Sequence, residues 1–144
     1  MAEHVIVWQN DQFEIEFRAA QPDEDGQAEG QEPQPVYHIH ELTPYGQLLT
    51  SLGSCTTIVL HTYAQHHEVP LKAVTVDLRY ERVFQKDCEN CEEIERYEEQ
   101  VEEQIMFEGD LSDKERDKVL HIAHQCSIHK ILEAGLKIES RLAD

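Results

Sequence analysis

Four cysteines, at positions 55, 88, 91 and 126, are the residues of this chain best suited to chemistry. Cys55 and Cys126 each fall in a stretch with helical apolar periodicity, at an inward position. A buried cysteine can act merely as a small apolar residue. A pair of inward thiols can also form and break a disulfide, because a thiolate attacks and a second thiol resolves the oxidised product. Cys88 and Cys91 form a CxxC in a polar connection. One CxxC is half of a metal site, a second redox dithiol, or two incidental thiols. A zinc site there would need two more ligands, for instance from a second copy of the chain. His38 and His40 would share one face of an extended segment, as metal ligands can. His66-His67 and His121-x-x-His124 read as solvated.

The thiols need elements to hold them. Residues 43–67, TPYGQLLTSLGSCTTIVLHTYAQHH, read as one long helix capped by Thr43, with Pro44 at the first helical position. Leu48, Leu52, Cys55, Val59 and Tyr63 form its stripe, which Leu49, Thr56 and Leu60 widen. So broad a stripe predicts a helix packed on more than one side. Gly53 lets another backbone approach closely. A second helix opens at a capping box, Ser112 with Glu115, and runs through Val119 and Ala123 to Cys126. Ser127 then caps a short helical stretch to Leu132, which Gly135 ends.

The strands read from alternation. Residues 4–9 and 12–18 form a hairpin turning at Asn10-Asp11, with Phe13, Ile15 and Phe17 on one face and Arg18 beside Glu16 on the other. Residues 19–35 are acidic and rich in Pro, Gly and Gln, a mobile loop. Residues 36–40 form a short extended segment. Residues 72–84 are a strand with Val74, Val76, Leu78 and Tyr80 on one side. Residues 95–108 fit both periods; pairing with the preceding segment and the stop at Gly109 favour a strand. Residues 136–142 alternate as a final strand. The order β-β-α-β-β-α-β predicts an α+β fold, two helices against a mainly antiparallel sheet, in one domain over residues 1–144.

Thirty acidic against twelve basic residues give a net charge of -18. That field repels phosphate and argues against nucleic acid and anionic membranes as partners. No apolar run reaches the roughly eighteen residues of a membrane span, and residues 1–12 lack the pattern of a secretory signal. The expected location is the cytoplasm, where cysteines serve as thiols, redox centres or ligands rather than as a disulfide framework.

Two blocks, LLTSLGSCTTIVLHTYAQHHEVPL and FEGDLSDKERDKVLHIAHQCSIHKIL, resemble the two signature blocks of the OsmC/Ohr family, each with its cysteine in place. The resemblance runs from about Thr43 to the C-terminus and more loosely through the N-terminal hairpin. It implies an intertwined α+β homodimer with a two-cysteine site at the interface. It implies thiol-dependent reduction of hydroperoxides, preferentially organic ones, with Cys55 attacking and Cys126 resolving. No cofactor is required, and the expected reductant is a dihydrolipoyl protein or another dithiol. Cys55 lies in mid-helix, so its own helix N-terminus cannot stabilise its thiolate, and a recruited cation is expected. At about 4 Å and an effective dielectric near 20 a cation contributes roughly 4 kcal/mol. The family's arginine falls on Arg18. The glutamate that holds it falls on Gln47, where PYGQLL replaces the common PYELL, so the countercharge is lost. The common CPVH becomes Cys126-Ser127-Ile128-His129. A DCxxC like that of Cys88 and Cys91, with zinc as one reading, appears in a branch of the family. The competing function is a non-catalytic redox sensor or small-ligand-binding thiol protein.

Overall fold

The computed structural model describes residues 3–20, 30–84 and 97–143. Five strands form one antiparallel sheet in the order β3-β2-β1-β4-β5. They are β1 (Glu3–Asn10), β2 (Ile15–Ala19), β3 (Gln34–Val36), β4 (Leu71–Phe84) and β5 (Tyr97–Gly109). The helices are α1 (Pro44–His66), α2 (Asp113–Ala123) and α3 (Ser127–Ala134), with a 3-10 turn at Ile39–Glu41. The fold is α+β, as the sequence implies.

The β1–β4–β5 register sorts the sheet into two faces. Val5 lies opposite Leu78, Val7 opposite Val76 and Gln9 opposite Val74. On β5, Val101, Glu103, Ile105 and Phe107 continue the same face. α1 packs there, and α2 and α3 pack on α1. Val5, Val7, Leu49, Leu60, Val74, Val76, Leu78 and Val119 are almost wholly buried in the resulting core. Gly53 is where helix and sheet come closest. A methyl group in its place would lie 2.7 Å from Val7 Cγ2 and 2.8 Å from Leu78 Cδ1. The other sheet face carries Ile6, Trp8 and Met106 together with Asp77 and Arg79.

Thr43 caps α1 through Gly46 N, and Pro44 opens it. The Ser112–Glu115 capping box opens α2 in both directions. The ambiguous segment is the strand β5. Several features depart from the sequence reading. Of the extended segment 36–40 only Val36 lies in a strand, since Ile39–Glu41 form the 3-10 turn, and β2 begins at Ile15 rather than at residue 12. The buried line of α1 is Leu49, Leu52, Gly53, Thr56, Leu60 and Ala64, whereas Leu48 is exposed and Cys55, Val59 and Tyr63 are half-buried. The sheet selects the side where Gly53 admits it, which rotates the inward stripe away from Leu48. α2 stops at Ala123, and Cys126 rather than Ser127 is the cap residue of α3. Ala19 belongs to β2, and Gln34 and Pro35 to β3, so the loop between them is shorter than 19–35; its residues 21–29 lie outside the described set. Residues 136–142 form no strand. Leu136, Ile138 and Leu142 are 67, 81 and 93 % exposed, and the segment pairs with neither edge strand, β3 or β5.

Candidate functional site

α1 and α3 bring the two expected thiols together. Cys55 is half-buried on α1, and Cys126 is buried at the start of α3. The backbone turns between α2 and α3, so the N-terminus of α3 faces the middle of α1. Cys126 caps that helix itself: the His129 amide donates to its Sγ at 3.5 Å. The first amides of α3 remain for the other sulfur, where a helix carries its partial positive charge.

Burial pushes the Cys55 thiol up, but donors outweigh it: the Cys126 thiol, the Ile128 amide, the Ser127 hydroxyl and the Ser127 amide together hold it below the usual thiol range. The Ser127 Oγ lies 3.8 Å from Cys55 Sγ. Cys126 moves the opposite way, raised by burial and by its hydrogen bond to Cys55. One sulfur thus ionises more readily than an ordinary thiol and its neighbour less readily, which is the asymmetry an attacking and resolving pair needs. Within one chain the donors to Cys55 come from the start of a neighbouring helix and from Cys126.

Glu103, from β5, is the acidic residue that reaches α1 here. Thr56 Oγ1 donates to its Oε1 at 3.2 Å, and His129 Nδ1 lies 3.9 Å from Oε2. Burial raises its carboxyl above the usual range against the bond from Thr56 and the histidines His129 and His124. His129 also pairs with Glu133. The signal for Glu103 was present in the sequence, an acid at an inward position of an otherwise apolar alternation. Ser127 was legible only as a helix cap.

Arg18 lies opposite Ile6, which in turn lies opposite Asp77, so it stands on the sheet face turned away from α1. It is exposed, and the chain does not bring it to Cys55. Gln47 sits in the first turn of α1, about 12 Å before Cys55 along the axis, where its Nε2 donates to Leu42 O at 3.4 Å. His38 and His40 stack at 5.4 Å between ring centroids. Cys88 and Cys91 lie outside the described residues. Among the described residues no group of three or more His, Cys, Asp or Glu is arranged around a metal position.

Residues 37–141 match the model of the family described as OsmC-like protein. The chain belongs to the OsmC-like family. The match spans both cysteine-bearing blocks, with β4, β5 and all three helices, and leaves β1, β2 and β3 outside it. A solved OsmC-like hydroperoxide resistance protein from Jannaschia sp. CCS1 superimposes on this OsmC-like chain with a TM-score of 0.63. The superposition covers 99% of this chain and 94% of that one at 13% identity, a likeness of fold. No curated protein matches the sequence.

Proposed function

We propose that this OsmC-like chain reduces organic hydroperoxides through Cys55 and Cys126, working as a homodimer. The supporting observation is the opposite tuning of two adjacent thiols at the N-terminus of α3. Cys55 thiolate attacks the distal peroxide oxygen, the O–O bond breaks, and the alkoxide takes a proton and leaves as an alcohol. Cys55 becomes a sulfenic acid. Cys126 loses its proton and attacks that sulfur, giving the disulfide and water. A dithiol of the dihydrolipoyl kind then exchanges with the disulfide, taking the oxidation onto itself and restoring both thiols.

A second copy answers what one chain leaves uncovered. Ile58 on α1 and Met106 on the far sheet face are 45 and 50 % exposed, and residues 136–142 carry three exposed apolar side chains. In such an assembly Arg18 would serve the Cys55 of the partner rather than its own. The test is stopped-flow reduction of an alkyl hydroperoxide against hydrogen peroxide, with a dithiol as reductant. Turnover that disappears in Cys55→Ser, and an intrachain Cys55–Cys126 disulfide after one equivalent of peroxide, are the expected results. A disulfide from Cys55 to Cys88 or Cys91 would refute the site assignment. The competing reading, a non-catalytic thiol sensor, draws support from Gln47, which turns back to Leu42 instead of bringing a carboxylate. One stoichiometric oxidation without turnover would favour it.

A further inference from the structure

Cys55 and Cys126 are linked a second time, by a path that does not pass through their sulfurs. Thr56, the residue after Cys55, is wholly buried, and its hydroxyl is shared between Leu52 O at 2.9 Å and Glu103 Oε1 at 3.2 Å. The other oxygen of Glu103 lies 3.9 Å from His129 Nδ1, and the Glu103 side chain is 14 % exposed. Glu133, one turn on in α3, takes the other ring nitrogen and leaves Nδ1 to Glu103. The His129 amide in turn donates to Cys126 Sγ at 3.5 Å. The path Cys55–Thr56–Glu103–His129–Cys126 therefore crosses from α1 through β5 to α3, and the hydrogen bond between the two thiols closes it into a ring.

α3 needs such a tie. It has eight residues and none of them is fully buried. Ile128 packs at the margin of the core, and beyond Gly135 the chain runs on into the exposed Leu136 and Ile138. So small an apolar anchor leaves the position of the helix to its polar contacts. Yet α3 carries the Ser127 and Ile128 donors to Cys55, and Cys126 stands at its cap. Resting on the two-cysteine reading above, we propose that Thr56, Glu103 and His129 form a positioning bridge that clamps the start of α3 against the middle of α1 and so sets how readily Cys55 and Cys126 close into a disulfide. The three side chains exchange no proton or electron with the sulfurs. They keep two thiols on separate helices within the short reach that a disulfide demands. Freedom removed beforehand raises the effective concentration of one thiol at the other. A contact with the usual net strength of one hydrogen bond changes that concentration about fivefold.

The experiment equilibrates the full-length protein in glutathione buffers, where the protein dithiol and one oxidised glutathione give the protein disulfide and two reduced glutathiones. The Cys55–Cys126 disulfide is read by peptide mapping. No peroxide is present, so the readout is independent of the attack on substrate. Thr56→Val and His129→Phe are each expected to lower the equilibrium constant about fivefold. Thr56→Ser keeps the hydroxyl and is expected to stay at the parent value, which separates the bond from a loss of packing. Thr56 and His129 lie on different helices and are linked here by Glu103. The double variant is therefore expected to lose no more than the larger single loss, whereas independent effects would multiply. Thr56→Ala enters the cycle should Thr56→Val not fold. Unshifted constants, or losses that multiply, would overturn the bridge and leave the two-cysteine reading standing. If the parent forms no Cys55–Cys126 disulfide even in fully oxidised glutathione, both readings fall.

Discussion

A thiol in the middle of a helix has every neighbouring amide already engaged, so its charge must be stabilised from outside that helix. For Cys55 the outside source is α3, and Ser127 contributes both a hydroxyl and an amide. The thiolate fraction therefore rises at lower pH than for an ordinary thiol, whose pKa is about 8.5. Alkylation of Cys55 by iodoacetamide, followed against pH, should show its midpoint below that of a small free thiol alkylated alongside it. Ser127→Ala removes one donor to a charged acceptor, moves the midpoint upward and slows alkylation a few-fold at neutral pH. An unchanged midpoint would mean that the hydroxyl does not face the sulfur in solution. Glu103 provides a second test at this scale. Its folded-state pKa is raised, so the native state binds its proton more tightly than the unfolded chain. Stability is then lost as pH rises from the unfolded pKa through the folded one. Glu103→Gln removes that loss, so the difference in urea midpoint between variant and parent should grow in the variant's favour across this window. A constant difference would show that Glu103 is not held in a low-dielectric position.

The contact between α1 and the sheet is decided at one residue. Gly53 has no side chain where Val7 and Leu78 come closest, and both are buried core residues that have no room to retreat. Gly53→Ala gains helix propensity, worth just under 1 kcal/mol. It also forces a methyl into contacts that real Cβ atoms do not make, which costs about 1–3 kcal/mol in a packed core. The clash should win, with a net loss of up to roughly 2 kcal/mol in urea unfolding. The variant should also react more slowly at Cys55, because α1 must shift against α3 to relieve the overlap. A stabilised variant would mean that helix and sheet lie farther apart than described.

For the molecule as a whole, one face of the sheet is covered by α1, and the other keeps Ile6 and Trp8 half-buried and Met106 exposed. A sheet of this kind joined to an exposed apolar segment at residues 136–142 favours association with a second copy. Light scattering at micromolar concentration should give the mass of two chains. Removing residues 136–144 should weaken that dimer and leave the far-ultraviolet circular dichroism of the helices largely intact. A monomer in the full-length protein would remove the dimer from the proposed mechanism.

By itself the sequence determined the local elements. Period-2 alternation marked β2 and β4, the hairpin turn at Asn10-Asp11 marked β1, and the capping box and the Thr43-Pro44 start marked α2 and α1, because these signals depend on neighbours along the chain. The two cysteine-bearing blocks were legible for the same reason, and the family match covers both. The tertiary structure decided which side of α1 is inward, because a helix with apolar residues on several sides takes its orientation from the surface it meets, here at Gly53. It decided that residues 136–142 stay unpaired within the chain, since alternation specifies a strand but supplies no edge for it. It also decided how Cys55 is activated. The donors come from residues more than seventy positions away, and no spacing in the sequence records that α3 begins where α1 carries its thiol.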